Sequence, residues 1–470
     1  ELKNYFCCNG VIPGFSQSGG LGLLAAEWII EGETKYDMFA WDVARFGAWA
    51  SKEFTKSRVG DQYAHRFSIH FPNEERSAGR PVRTRPIYQM QKEMGAVMGL
   101  NYGWEHPLWF AETPGVKDTN GFTRQNWFEP VGKECKMLRE KAGIIDISNF
   151  AKYVVQGKKG RDWLDAVFAN KMPTEVGRSC LTPLISRRGG LAGDFTVTLI
   201  AQDEYWIFGS GMAERYHKRF FDSVPLPEGV RFDSRTEAVC GFNLAGPLSR
   251  KILQRLTNTS LNNEDFQFMR SKCADLAGID VKMLRVSFTG DLGWEVHCNT
   301  ADQKALYTAL LETGKEFGVG PVGSRALMAM RVEKGYGSWS REYSPEYWPH
   351  EQDMDRLCKM DKDFLNKAAL QAVLAQEPRE QMVLLHLNEA AVTASNADAT
   401  GGEPVFKDGN GVGRVTSGAY GYSVGLSLAL AMVKDVRPGD EVEVMVLGQP
   451  HKAKILHQPP FDPTGKKLRA

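Results

Sequence analysis

The stretch Arg188-Gly189-Gly190-Leu191-Ala192-Gly193-Asp194-Phe195-Thr196-Val197-Thr198 sets one carboxylate four residues after a glycine pair, at the mouth of an alternating run. Paired glycines let the backbone turn tightly, and the alternation predicts a strand. A lone carboxylate at a strand entrance can manage protons on a nitrogen heterocycle. The same residues also read as a β-hairpin with a solvated Asp194. A second stretch, Ser287-Phe288-Thr289-Gly290-Asp291-Leu292-Gly293-Trp294-Glu295-Val296-His297, puts Glu295 and His297 two apart on a predicted strand, hence on one face.

Composition limits what these groups can serve. At 470 residues the chain is too long for one core, which predicts two or three domains. A net charge of +1 gives no electrostatic case for nucleic acid or an anionic membrane as partner. None of the eight cysteines forms a C-x-x-C pair, which argues against a zinc site or a disulfide framework, so no metal is expected. Unpaired thiols suit a reducing compartment. No signal peptide or long apolar run is visible. The chain does not start with methionine, so it is expected to begin inside a larger protein.

The elements that must position these groups follow from periodicity and punctuation. Residues 1–32 read as a strand, a glycine turn and a helix, with Gly19-Gly20 opening a helix over 21–31 and Gly32 closing it. A glycine-rich turn there can bring N–H groups close to a flat or anionic cofactor, or be only a tight turn. Residues 33–130 are irregular, with a helix expected over 87–98. Trp104, Trp109, Trp127 and Phe128 are expected to plug an inter-domain contact.

From 131 onward helices are predicted over 131–142, 160–170, 212–221, 247–256, 301–317 and 324–333. Strands are predicted over 152–156, 195–200, 205–208, 241–245, 283–288 and 293–298. Strands arriving as antiparallel pairs make this α+β and not a doubly wound sheet. Over 380–460, short apolar runs between Gly, Pro and Asp turns predict a small β-barrel or jelly roll.

Five motifs in this order resemble the folate-binding aminomethyltransferase fold of the glycine-cleavage T-protein. They are Gly189-Gly190…Asp194-Phe195-Thr196-Val197, Leu244-Ala245-Gly246-Pro247-Leu248-Ser249-Arg250 and Ser287 through Glu295, then Arg331-Val332-Glu333-Lys334-Gly335-Tyr336 and Gly413-Arg414-Val415-Thr416-Ser417-Gly418. Gly19-Gly20 through Glu33 looks like the last strand and helix of a D-amino-acid-oxidase-type flavin domain. Residues 79–88, 102–110 and 126–129 resemble the linker domain of the dimethylglycine and sarcosine dehydrogenase family. The resemblance divides the chain into a flavin-domain tail (1–34), a linker domain (35–130), a folate-binding domain (131–370) and a C-terminal barrel (371–470).

That resemblance implies a flavin demethylase fused to a folate domain, with most of the flavin domain outside this chain. The implied activity is oxidative demethylation of a dimethylglycine- or sarcosine-like amine using FAD, with capture of the one-carbon unit by tetrahydrofolate. The implied product is 5,10-methylenetetrahydrofolate. Asp194 matches the family's catalytic carboxylate and Glu295 the group that binds the pterin edge. Phe288 stands where the T-protein has Tyr, so stacking is kept and a hydroxyl contact is lost. Thr196, His297 and Arg325 are expected to line the folate, Arg325 near its tail or a substrate carboxylate; His297 reads equally as a satisfied core histidine and Arg325 as a helix-surface salt bridge. Gly19 and Gly20 would border the flavin. Tyr336 and Trp339 are expected in the core. The implied partners are the amine, folate and the missing FAD portion, in a mitochondrial matrix or a bacterial cytoplasm. The competing readings are a T-protein-like transferase without flavin and a non-catalytic regulatory relative.

Overall fold

The computed structural model describes residues 5–11 and 13–470. The strand expected before Gly19 falls partly on residues 1–4, outside the described residues, and residues 5–11 form none. The first element is helix α1 (Gly14–Glu31), none of whose residues is buried. Gly19 and Gly20 lie inside it, so the expected glycine turn at its start is not formed. Each glycine costs a helix about 1 kcal/mol relative to alanine, and the Leu- and Ala-rich turns that follow carry it through. Gly32, at φ 77°, ends the helix and donates its N–H to Trp28 O.

After α2 (Lys52–Ala64), the helix expected over 87–98 stops early as α3 (Tyr88–Glu93). Gly95 breaks it at φ 93°, in a position where a Cβ would sit 2.2 Å from Ala111 O. The chain then turns back as the hairpin β1 (Ala96–Asn101) and β2 (Trp104–Phe110), through Tyr102 and Gly103, both at positive φ. Helix α4 (Phe128–Glu140) follows.

The central region builds two sheets. Its strands are β3 (Gly143–Asp146), β4 (Ala151–Gln156), β5 (Ser179–Ile185), β6 (Leu191–Ala201), β7 (Glu204–Gly209), β8 (Arg231–Ser234), β9 (Val239–Ala245), β10 (Ser271–Leu276), β11 (Ile279–Leu284), β12 (Gly293–Asn299) and β13 (Gly320–Val322). Its helices are α5 (Gly160–Val167), α6 (Glu214–Ser223), α7 (Ser249–Gln254), α8 (Gln303–Lys315) and α9 (Ser324–Glu333). One sheet runs β5-β6-β7-β4-β8 and the other β10-β11-β12-β9-β3-β13, with β13 parallel to β3 and every other pair antiparallel. The strand expected over 283–288 ends at Leu284, because Ser287, Thr289 and Asp291 bond to one another in a turn.

Each sheet buries its outer face under helices. Phe242, Leu244, Trp294 and Val296 pack on Tyr307 and Leu310 of α8, while Phe195, Val197 and Ile207 pack with Trp163 of α5 and Phe221 of α6. The inner faces meet through Val154, Ile200, Trp206, Phe208, Val239 and Leu284.

Past α10 (Lys367–Leu374) the chain closes a six-stranded barrel, β14-β17-β16-β15-β18-β19. Its strands are β14 (Gln381–Leu387), β15 (Pro404–Lys407), β16 (Asn410–Gly421), β17 (Leu426–Val433), β18 (Glu441–Val446) and β19 (Gln449–Ile455), with α11 (Glu389–Ser395) after β14. Closure leaves no sheet edge open. Phe128, at the start of α4, packs 5.4 Å and 5.1 Å from Tyr420 and Tyr422 of the barrel region. Arg139 of α4 is a second tie. It pairs with Asp291, donates to Thr289 O and to Glu333 at 2.7 Å, reaches Ser423 Oγ at 2.9 Å and lies 3.5 Å over the Phe461 ring. No helix among the described residues is long and apolar enough to cross a membrane.

Candidate functional site between two sheets

The Gly189-Gly190 turn is shaped by what passes beside it. A Cβ on Gly190 would lie 2.0 Å from Pro345 O, and one on Gly189, at φ 81°, 2.7 Å from Ala369 O. Ser186 Oγ accepts the Gly190 N–H, and Leu191 N–H reaches Tyr347 O. The turn therefore pins the start of β6 between α10 and the 345–347 segment.

From that anchor, strand alternation aims Asp194, Thr196 and Thr198 one way and Phe195 and Val197 the other. Phe195 and Val197 fill the outer core, so Asp194 and Thr196 face the second sheet. Phe208 pairs with Thr196 across β6 and β7, and with Lys152 across β7 and β4, so the three side chains share that inner surface.

The opposite wall is built by the same rule. Trp294, Val296 and Cys298 of β12 point into the outer core, which turns Glu295 and His297 inward. Glu295 pairs with Asn243, and His297 with Gly241, across β9. A Cβ on Gly241 would meet His297 Nδ1 at 2.5 Å, so only glycine leaves room for the ring. The His297 ring stacks on Phe208 at 4.6 Å, and its Nε2 lies 3.4 Å from Glu295 Oε2. The two walls thus bring Asp194, Thr196, Glu295 and His297 onto facing surfaces.

Burial sets the charge states. No other group hydrogen-bonds the half-buried Asp194 carboxyl among the described residues, and desolvation pushes its pKa up to about 6. Burial pushes His297 below the ordinary histidine range, against the pull of Glu295. Lys152 is fully buried and donates to Ser148 O and Phe150 O; desolvation lowers it to about 7. The site therefore holds a carboxyl that exchanges its proton near pH 6 and a lysine that exchanges its own near pH 7, with a histidine held toward its neutral form on the facing wall.

The other expected residues fall elsewhere. Phe288 stacks on Tyr336 at 5.9 Å, in the turn between β11 and β12. Trp339 packs on Phe39, Tyr216 and His217. Arg325 lies on α9 over Trp127, in a groove between α9, the start of α4 and the barrel. Both arms of its guanidinium are engaged by Asp118, at 3.0 Å and 2.7 Å. That groove's walls include neither Asp194 nor Glu295. Gly19 and Gly20 stand open in α1, with nothing within 4 Å of a Cβ position.

Residues 87–362 match the family model of the GCVT N-terminal domain. The chain belongs to this family. Residues 381–462 match the glycine cleavage T-protein C-terminal barrel domain, and residues 31–84 the central domain of FAD dependent oxidoreductases. Mitochondrial dimethylglycine dehydrogenase of Mus musculus is 33% identical over 468 residues, taking in 97% of this chain and 53% of the relative. The formaldehyde-forming 4-methylaminobutanoate oxidase of Paenarthrobacter nicotinovorans is 28% identical over 480 residues, taking in 100% of this chain and 57% of the relative. The chain thus spans about half the length of the curated relatives it matches. The crystal structure of glycine cleavage system aminomethyltransferase T from Bartonella henselae shares the fold, with a TM-score of 0.70 at 21% identity over 81% of this chain and 98% of that one.

Within this GCVT fold, reading the sequence missed Phe208, Asn243 and Lys152. Alternation in Cys240-Gly241-Phe242-Asn243-Leu244 could have exposed Asn243, the one polar side chain in that run. Lys152 is likewise the one charge within its strand run.

Proposed function

We propose that this chain is the tetrahydrofolate-binding part of an FAD-dependent enzyme that demethylates dimethylglycine- or sarcosine-like amines. The reading rests on the Asp194 carboxyl, which no other group hydrogen-bonds among the described residues and which faces the sheet that carries Glu295. Tetrahydrofolate would supply the nucleophilic nitrogen that takes up the one-carbon unit as 5,10-methylenetetrahydrofolate.

The residues fit such a group. A pterin edge needs acceptors, and Glu295 lies beside Asn243, whose buried Oδ1 has no partner among the described residues. Glu295 holds the amino-pyrimidine edge through charge-assisted bonds. Thr196, Phe208 and His297 form the walls. Asp194 accepts the proton released near N10, a positioned-base effect of about 10²–10⁴-fold. Its raised pKa keeps it able both to take and to return that proton near neutral pH.

The flavin is a different matter. Gly19 and Gly20 are interior to α1, whose backbone N–H groups are spent on the helix, so they do not fit a flavin cradle. FAD, the amine site and the electron acceptor belong to a partner portion outside this chain, in a mitochondrial matrix or a bacterial cytoplasm. The oxidoreductase-domain match on 31–84 favours this reading over a T-protein-like transferase without flavin.

Calorimetric titration of tetrahydrofolate into this chain and into Glu295→Ala tests the reading. Binding by the wild type that is lost in the variant supports it. Binding to neither would favour a regulatory relative. In the full-length enzyme, Asp194→Ala should leave amine oxidation nearly intact and release free formaldehyde. Methylenetetrahydrofolate formed at the wild-type rate would remove Asp194 from this role.

A further inference from the structure

Asn243 sits in the middle of β9 with Phe242 and Leu244 directed into the outer core, so its own side chain faces the inter-sheet surface. It is 3% exposed. Its Nδ2 donates to Val286 O at 3.4 Å, which fixes the amide orientation and turns Oδ1 the other way. That oxygen has no partner among the described residues. Leaving a buried acceptor unmet is costly, so such an atom calls for an explanation. The cross-strand neighbour of Asn243 on the same face is Glu295. Paired residues on one face have Cβ atoms about 5 Å apart.

We propose that Asn243 is a specificity-determining residue of this site, accepting, next to Glu295, an N–H from an exocyclic amino group on the edge of a nitrogen heterocycle. The inference rests on the reading above that the site takes tetrahydrofolate. The carboxylate of Glu295 offers two acceptors, and Asn243 Oδ1 adds a third beside them. An amino-pyrimidine edge offers three matching donors: two N–H of the 2-amino group and one ring N–H. Glu295 takes the ring N–H and one amino hydrogen; Asn243 takes the other. A heterocycle with a carbonyl at that position would set oxygen against oxygen and be rejected.

The test is calorimetric titration of tetrahydrofolate and its 2-desamino analogue into the wild-type chain, Asn243→Leu and Glu295→Ala. The wild type should prefer tetrahydrofolate, and Asn243→Leu should shrink that preference about tenfold. Asn243→Ala, checked for native circular dichroism, gives the same ratio if the leucine variant fails to fold. A merely structural role would change stability or overall affinity and leave the ratio intact. A ratio unchanged in either folded variant, with Glu295→Ala losing binding, overturns the role of Asn243 alone. No tetrahydrofolate binding by the wild type overturns the reading of the site and this inference with it.

Discussion

Phe208 and His297 stack at 4.6 Å and an interplanar angle of 26°, one from each sheet of the GCVT region. Phe208 also stands in register with Thr196, and His297 lies two residues from Glu295. The stacked pair therefore sets the spacing between the wall that carries Asp194 and the wall that carries Glu295. Phe208→Ala should cost about 3–5 kcal/mol of stability and weaken tetrahydrofolate binding, whereas Phe208→Leu should keep most of both. Thermal unfolding with parallel titrations checks this; full affinity in a folded Phe208→Ala would show that the ring does not set the gap.

Asp194 gives a pH signature. Its folded pKa of about 6 lies above the unfolded value of 3.8, so the folded state holds a proton that the unfolded chain releases. The resulting cost is absent below pH 3.8, grows through the window up to about 6 and is complete above it. Allowing for partial solvent access, its size is about 2 kcal/mol. Asp194→Asn should therefore match the wild type near pH 4 and exceed it by about that amount at pH 7, while failing in folate capture. Unfolding midpoints of both proteins across this range would settle it; a gap that does not vary with pH would contradict the assignment.

The Arg325 guanidinium is shared between Asp118 and the face of Trp127, and Trp109 Nε1 donates to the same Asp118 at 2.6 Å. Asp118→Ala leaves that nearly buried charge unmatched and should cost about 3–5 kcal/mol. If Arg325 holds a folate tail, freeing it from Asp118 should tighten binding of polyglutamylated tetrahydrofolate over the monoglutamate. If it is a structural tie, that preference will not change. Melting curves and a two-ligand titration report the two effects separately.

Glycines at Gly190 and Gly22 should respond in opposite directions. Gly190→Ala drives a Cβ to 2.0 Å from Pro345 O and should destabilise the hairpin by about 3 kcal/mol. Gly22→Ala, in α1 with open space around it, should gain up to about 1 kcal/mol of helix stability. Helix content from circular dichroism and the unfolding midpoint distinguish them.

Much of this was legible from period-two alternation. Asp194 and Thr196 on one face, and Glu295 and His297 on another, follow from residue spacing alone. The barrel runs and α9 were also legible, because turn residues punctuate them. Which faces meet was not legible. Strand β7 is apolar on two sides, so nothing in Tyr205-Trp206-Ile207-Phe208 says which aromatic looks inward. Asn243 stands out as the one polar side chain of its run, but nothing in that run says what its face meets. Gly19-Gly20 misled because a glycine pair signals a turn unless the surrounding residues favour a helix strongly enough to run through it. Gly95 ends α3 at positive φ, packed so close to Ala111 O that no Cβ would fit, a long-range approach that no local pattern contains.

Arg139 binds the turn that carries Phe288, the end of α9 and the Ser423 loop of the barrel through a single side chain. Parts nearly 300 positions apart along the polypeptide are thereby keyed to one pivot. A substitution at Ser423, on the barrel side, therefore bears on the Thr289–Asp291 turn next to Phe288 through one guanidinium. Loss of function there would be a fault in transmission and not in chemistry.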